Sequence, residues 1–284
     1  KPDIVLTYTI KPNVYGGLAC RYFKIPYIAN ITGVGASIEN RGILREVALK
    51  LYKMGLKKAN MVFFQNQSNK ELFLNKKIVH NNVKLIPGSG VNLERFTFSK
   101  YPEENNIINF LFIGRIMKSK GIEELFSAAE IICKKYSNVN FHIVGHCEEN
   151  YSDTLKEYEK KGIITYHGRQ DNVHQFITKS HATINPSYFE GMSNVLLESA
   201  ATGRPVLASN IPGCRETFDE NVSGIGFEVK NTKSLVQAIE KFIKLPYSEK
   251  EKMGMAGRRK VEKEFDRNIV INTYLEVIKK TLSE

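Results

Sequence analysis

The run Ala182-Thr-Ile-Asn-Pro186-Ser-Tyr-Phe-Glu190-Gly-Met-Ser-Asn194-Val-Leu-Leu-Glu198-Ser-Ala-Ala-Thr-Gly203-Arg-Pro205 reads as strand, loop, helix and stop. Its apolar start suits a buried strand, and Pro186 and Gly191 interrupt regular backbone. Ser193 or Asn194 can cap the helix that follows, and Gly203 with Pro205 ends it. Glu190 then falls on the loop and Glu198 about one turn inside the helix. The first N–H groups of that helix point into the same space, where they suit a phosphate. Carboxylates offer oxygens to hydroxyls and N–H groups serve phosphate, so the pattern fits a phosphorylated sugar. A plain strand-loop-helix unit with surface acids fits it as well.

Working outward, strand-like runs recur at 4–9, 27–31, 61–65 and 84–86, with helix-compatible segments between them. A second series follows: strands at 108–113, 140–144, 163–166, 182–185, 205–208 and 226–229, and helices at 121–136, 152–161, 172–179, 233–245, 248–264 and 267–281. Such βα alternation predicts an α/β protein with parallel sheets covered by helices on both faces. The polar stretch Lys100-Tyr-Pro-Glu-Glu-Asn-Asn reads as a linker. The expected organisation is two doubly wound, Rossmann-like domains facing a cleft, 1–99 and 100–266, with a last helix over 267–284 crossing back to the first. Four strands are few for an independent doubly wound domain, so the first domain is expected to be incomplete and the chain N-terminally truncated.

Composition narrows the class. Of 284 residues, 42% are hydrophobic and 25% charged, as in ordinary globular proteins. No apolar run approaches the roughly 20 residues of a membrane span. Cys20, Cys133, Cys147 and Cys214 are scattered and read as reduced thiols of a cytoplasmic protein. His80, His142, His146, His167, His174 and His181 share no metal-ligand spacing. The net charge of +11 sits wholly in residues 1–100, which hold 16 Lys+Arg against 5 Asp+Glu. That asymmetry points to an anionic surface, either nucleic acid or lipid headgroups, or to a solvated face with no partner. No nucleic-acid recognition motif accompanies it. Leu44, Val47, Ala48, Leu51, Tyr52 and Gly55 fall on one helical face, with Lys50, Lys53 and Lys57 nearly opposite. Such a helix can pack on its own sheet and still rest its basic side on a membrane.

The second series opens with a strand ending in Phe112-Ile-Gly114-Arg115-Ile-Met-Lys-Ser-Lys120-Gly121. Ligands of open α/β sheets bind beyond the carboxyl ends of the strands, which is where Arg115 and Lys120 stand. A guanidinium fork and a mobile ammonium can neutralise a diphosphate and stabilise it as a leaving group. Two solvated cations on an ordinary loop would look the same. Neither a Walker A pattern nor a GxGxxG fingerprint is present.

Arg-x4-Lys-Gly followed by Glu-x7-Glu around a capped helix resembles the family 4 retaining glycosyltransferases of GT-B fold. Ile86-Pro-Gly-Ser-Gly-Val-Asn, Gly203-Arg-Pro-Val-Leu-Ala-Ser and Ile211-Pro-Gly-Cys-Arg-Glu agree with it, and the likeness runs over essentially the whole chain. Thr9-Ile-Lys-Pro-Asn-Val-Tyr-Gly-Gly-Leu-Ala and Asn30-Ile-Thr-Gly-Val-Gly are similar to bacterial enzymes that extend lipid-linked surface glycans of the capsule, O-antigen or N-acetylgalactosaminyltransferase kind. The resemblance implies transfer of a hexose or N-acetylhexosamine from a UDP-sugar to a polyprenyl-diphosphate-linked acceptor, at the inner face of the plasma membrane. It implies catalytic roles for Arg115, Lys120 and Glu190, and donor contacts from Gly33, Gly114, Gly191, Met192, Ser193, Asn194, Val195 and Glu198. The reaction would retain anomeric configuration and need no metal or cofactor beyond the donor. Lys50, Lys53 and Lys57 would face the anionic membrane, with no part for nucleic acid.

The chain departs from the family pattern in three places. Thr32-Gly33 stands where many relatives carry His-Gly, Gly145-His-Cys147 replaces a two-glycine loop, and the glycine-rich loop after the family's first strand does not occur. A non-catalytic nucleotide-sugar-binding module and a sugar-nucleotide epimerase of similar build stay open as alternatives.

Overall fold

The computed structural model describes residues 1–35, 38, 42–104 and 106–283; of the expected linker, Asn105 lies outside them, as does Glu284 of the last helix. The chain divides into two compact units. Unit 1 comprises Lys1–Gly90, Phe189–Met192 and Arg267–Glu284, and unit 2 comprises Val91–Tyr188 and Ser193–Asp266.

Unit 1 holds a parallel sheet in the order β1-β2-β3-β4, formed by Val5–Tyr8, Tyr27–Ile31, Met61–Phe64 and Val83–Leu85. Helices α1 (Gly17–Phe23), α2 (Ile43–Leu56) and α3 (Gln67–Asn75) connect the strands. Asn66 caps α3 by accepting the Asn69 N–H at 2.9 Å, a contact typically worth about 1 kcal/mol. The core on one face centres on Tyr52, Phe64 and Phe73, whose rings meet edge-on. On the other, the last helix, α10 (Arg267–Ser283), lays Tyr274 against Phe63 at 4.5 Å, and its hydroxyl receives Asn30 Nδ2 at 2.6 Å.

The buried face of α2 differs from the sequence expectation. Ala48, Leu49, Tyr52, Gly55 and Leu56 are buried, whereas Leu44 and Val47 are exposed. Gly55 explains the rotation. A Cβ there would stand 2.6 Å from the Val14 Cα, and the Tyr27 hydroxyl donates to the Gly55 carbonyl at 2.6 Å. The helix therefore approaches the Pro12–Gly16 turn along the line through residues 48, 52 and 55.

Unit 2 is a six-stranded parallel sheet in the order β10-β9-β8-β5-β6-β7. Its strands are β5 (Ile108–Ile113), β6 (Val139–Val144), β7 (Ile164–Tyr166), β8 (Ala182–Asn185), β9 (Val206–Ser209) and β10 (Gly224–Phe227). The helices are α4 (Ile122–Lys135), α5 (Ser152–Lys160), α6 (His174–Lys179), α7 (Asn194–Ala201), α8 (Thr232–Lys244) and α9 (Tyr247–Glu264). The fourth strand in sequence lies beside the first, so the chain runs outward from β5 in both directions. Connections after β5 and β8 part there, and the crevice that results is where open α/β sheets take ligands. In the core of the unit Phe110 stacks on Phe141 and meets Phe242 edge-on.

Two devices fasten unit 2 away from the crevice. Arg204 is fully buried and donates to the carbonyls of Ser99, Lys100 and Thr178 at 2.8–2.9 Å and of Thr202 and Gly203 at 3.2 Å. Burial pushes its pKa down to about 10. His181, 4% exposed, accepts the Asn109 N–H on Nδ1 at 3.0 Å. Burial, then Lys250 and Arg204, hold its pKa down to about 4.

The folded pKa lies below the ordinary 6.5, so the unfolded chain binds the proton more tightly and His181 withdraws stability as pH falls from 6.5 to 4. The full loss is about 3 kcal/mol. Urea midpoints measured at pH 7.5 and 4.5 should separate strongly for the native chain, and much less for His181→Gln.

Candidate active site

In unit 2 the loops after β5 and β6 are zipped together. Gly114 N–H donates to Val144 O at 2.9 Å, Ile116 N–H to His146 O at 2.8 Å, and Glu148 N–H to Ile116 O at 3.2 Å. Gly145, at φ 153°, cannot carry a side chain, because a Cβ would fall 1.7 Å from Gly114 O. One glycine thus suffices in the departing loop. Arg115 projects from this zipper with its side chain 57% exposed, paired with Glu148 at 3.0 Å.

Lys120 closes the helical turn Lys118–Lys120. That turn is held by Lys120 N–H on Met117 O at 3.0 Å and Gly121 N–H on Lys118 O at 2.9 Å. Gly121 adopts φ 69°, and a Cβ there would meet Pro186 O at 2.1 Å. The turn after β5 therefore packs directly on the start of the loop after β8, with two glycine requirements met by one residue.

From β8 the chain is fixed by Asn185. Its Oδ1 accepts Ser187 N–H at 3.1 Å and its Nδ2 donates to Ser193 Oγ at 2.7 Å. Ser193 occupies the position before α7, but its hydroxyl serves Asn185 and makes no cap contact with the helix, which corrects the capping expectation for that residue. Its N–H donates to Gly213 O at 2.7 Å. Asn194 is exposed at the helix start, Val195 and Glu198 are half-buried, and Ser199 ties α7 to β8 through Thr183 at 2.8 Å. Gly203, at φ 82°, ends the helix as its Gly-Arg-Pro context indicates.

The middle of the same loop, Phe189–Met192, belongs to unit 1. Gly191 lies on the backbone of Thr32, where a Cβ would stand 1.6 Å from the carbonyl oxygen, and Asn66 Nδ2 donates to Gly191 O at 2.7 Å. Gly33, at φ 143°, faces Gly191, with 3.3 Å from its ideal Cβ to the Gly191 Cα. Met192 covers Gly88. Glu190 is half-buried in this loop. Unit 1 also holds an open pocket of about 430 Å³ whose polar lining includes Asn30, Thr32, Gln65, Ser89 and Arg267. Lys50 and Lys53 on α2 and Lys57 just past its end are exposed and take no part in this lining.

Within unit 2 the structure gathers Gly114, Arg115, Lys120 and the start of α7 at the carboxyl ends of β5 and β8; within unit 1 it gathers Gly33, Glu190, Gly191 and Met192. Sequence reading missed Asn66, Asn185, Glu148 and the buried Arg204. Asn185 and Arg204 had a signal, since both stood in quoted motifs without a role.

The sequence family "Glycosyl transferases group 1" matches residues 94–260. The chain is 28% identical to the N,N'-diacetylbacillosaminyl-diphospho-undecaprenol alpha-1,3-N-acetylgalactosaminyltransferase of Campylobacter jejuni, covering 97% of this chain and 76% of that protein. It is 26% identical to the capsular polysaccharide biosynthesis glycosyltransferase CapM of Staphylococcus aureus, covering 95% and 74%. Among solved structures, HepE of Anabaena in complex with UDP and glucose superposes with a TM-score of 0.82 at 17% identity, over 98% of this chain and 78% of that one. Sucrose-phosphate synthase of Thermosynechococcus elongatus gives the same TM-score at 21% identity, over 99% and 74%. These structures share the fold.

Proposed function

This chain belongs to the glycosyl transferases group 1 family, and from that membership we propose that it moves a hexose or N-acetylhexosamine from a UDP-sugar onto a polyprenyl-diphosphate-linked glycan, with retention of configuration. The observation that carries the reading is the meeting of the Arg115 and Lys120 loop with the loop after β8 at the point where the strand order reverses. Relatives named for undecaprenyl-diphosphate-linked acceptors supply the acceptor class.

In this reading Arg115 and Lys120 hold the diphosphate, and the backbone from Gly191 to Val195 meets sugar and phosphate. Glu190 accepts hydrogen bonds from sugar hydroxyls, Glu198 holds the ribose, and Gly33 and Gly114 line the site through backbone. The bond from sugar C1 to the diphosphate oxygen breaks, and UDP departs with the electron pair. The acceptor hydroxyl attacks C1 on the same face and passes its proton to the departing phosphate oxygen. The two cations stabilise the charge that develops on UDP, so this chemistry needs no metal. No opposed carboxylate pair is required, as it would be in a hydrolase.

The acceptor is a membrane lipid, and the basic surface of α2 brings the enzyme to the inner leaflet. Lys50, Lys53 and Lys57 are exposed there, as are Ile43 at 86% and Leu44 at 67%. Cations and apolar side chains on one helix suit the headgroup region of an anionic bilayer.

A panel of UDP-glucose, UDP-galactose and their N-acetylated forms, offered with undecaprenyl-diphosphate glycans, tests the reaction. The expected product carries one added α-linked sugar; release of UDP without transfer from every donor would sink the assignment. For the membrane, flotation with phosphatidylglycerol vesicles should carry the native chain upward and leave a Lys50→Glu, Lys53→Glu, Lys57→Glu variant behind. Equal flotation of both removes the docking role of α2.

A further inference from the structure

Three restraints converge on the residues between Pro186 and Glu190. The Pro186 carbonyl packs on the side-chain-free Gly121. The Tyr188 N–H donates to Ser119 O at 3.0 Å. The Tyr188 hydroxyl reaches both oxygens of Glu124, at 2.8 and 3.0 Å. Glu124 lies in the first turn of α4, three residues beyond the Gly that follows Lys120. A fourth contact closes the group, with Lys230 Nζ 4.7 Å above the Tyr188 ring.

None of these side chains holds a role in the reaction as described. A surface tyrosine needs no such set of partners. The backbone hydrogen bond to Ser119 alone would pair the two loops, but it leaves the Tyr188 side chain free to rotate and the loop free to hinge about one bond. The ring adds a second attachment point at the far end of a rigid lever, and Lys230 covers its face. Two attachments on different atoms fix orientation as well as distance. Burial and the Glu124 carboxylate raise the phenol's pKa, so it stays a donor. On the other side of the Lys118–Lys120 turn, Lys118 pairs with Glu123 at 3.2 Å, and Glu123 also accepts the Tyr151 hydroxyl at 2.8 Å. Neighbouring carboxylates of one helix turn thus hold two different loops.

We infer that Tyr188 and Glu124 form a positioning pair that sets the register between the turn bearing Lys120 and the chain entering Glu190. The inference rests on the reading that Lys120 meets the diphosphate and Glu190 the sugar. Neither member of the pair touches the donor. Its effect is on geometry, because a misplacement of about 1 Å at a reacting centre can cost as much as a hundredfold in rate.

The turn bearing Lys120 keeps its own backbone hydrogen bonds without Tyr188. UDP binding is therefore spared and the sugar-transfer step is not. Tyr188→Phe retains the ring under Lys230 and removes only the hydroxyl. It should lower kcat about tenfold while KM for the donor and Kd for UDP stay within about twofold. Glu124→Ala should match it, and the double variant should be no worse than either single one, as members of one unit behave. Glu124→Gln keeps an acceptor for the phenol and should restore most of kcat.

Amide hydrogen exchange gives a readout that needs no turnover. In Tyr188→Phe, exchange at residues 187–190 should quicken while the 118–121 turn is unchanged. Unchanged exchange at 187–190, or faster exchange with kcat intact, overturns the positioning role. So does a parallel loss of kcat, UDP affinity and Tm, which marks the pair as merely structural. A native chain that transfers no sugar at all defeats the parent reading instead, and the catalytic part of this inference with it.

Discussion

Replacing Arg204 by methionine should destabilise unit 2 by about 3–5 kcal/mol, read as a lowered urea midpoint at constant m-value. Five backbone carbonyls face the guanidinium, three of them at 2.8–2.9 Å from different parts of the chain. Exchanging a buried charged network for apolar groups can be neutral when every partner is exchanged too. Here the partners are backbone carbonyls of Ser99, Lys100 and Thr178, which no side-chain substitution removes. Part-buried as these contacts are, the carbonyls would lose their donor at a cost of up to about 1–3 kcal/mol each, partly relieved by relaxation or water. Arg204→Lys keeps the charge but offers one nitrogen in place of the two that serve these carbonyls, so it should recover less than half of the loss. A shift below about 1 kcal/mol for the methionine variant would show that water replaces the guanidinium, and that the motif arginine has another purpose.

Arg204 also marks where sequence reasoning stops. The strands and helices were legible because their apolar periods are strong and their boundaries carry Gly, Pro and Asn. The run from Ile108 to Ile113 and the helix ending before Gly203 needed no structure to place. Strand β10 was expected two residues late, since 224–227 begins with a glycine that pairs with Val206 where a side chain would collide with its carbonyl. The α2 face was misjudged for a related reason. Helical periodicity reports where apolar residues lie, whereas Gly55 and its close approach to Val14 decide which line of them is buried. At the site, glycine and charge patterns placed Gly114, Lys120 and Gly191 at strand ends. The supporting contacts were invisible, because they join residues far apart in sequence through single polar atoms: Asn66 to Gly191, Arg204 to Ser99, Tyr188 to Glu124. Periodicity carries no information about such pairs.

Lys120→Ala should lower single-turnover sugar transfer by a factor of about 10² to 10³ and weaken UDP binding by about tenfold. The two effects differ in size for a physical reason. In the proposed reading the ground-state diphosphate charge is shared with solvent and with Arg115, so one lost ammonium removes part of the binding. As the C1–oxygen bond breaks, a further negative charge develops on the departing phosphate. An ammonium fixed beside it gains more there than in the ground state, and only that excess accelerates the reaction. Lys120 can supply it because its turn is closed by its own hydrogen bonds and locked against Pro186 through Gly121. The Arg115 side chain is 57% exposed and already paired with Glu148, so the donor must displace a carboxylate before the guanidinium can help. Glu148→Gln should therefore tighten UDP binding modestly. A Lys120→Ala enzyme within fivefold of the native rate would move leaving-group stabilisation away from this turn, leaving the N–H groups at the start of α7 as the principal source.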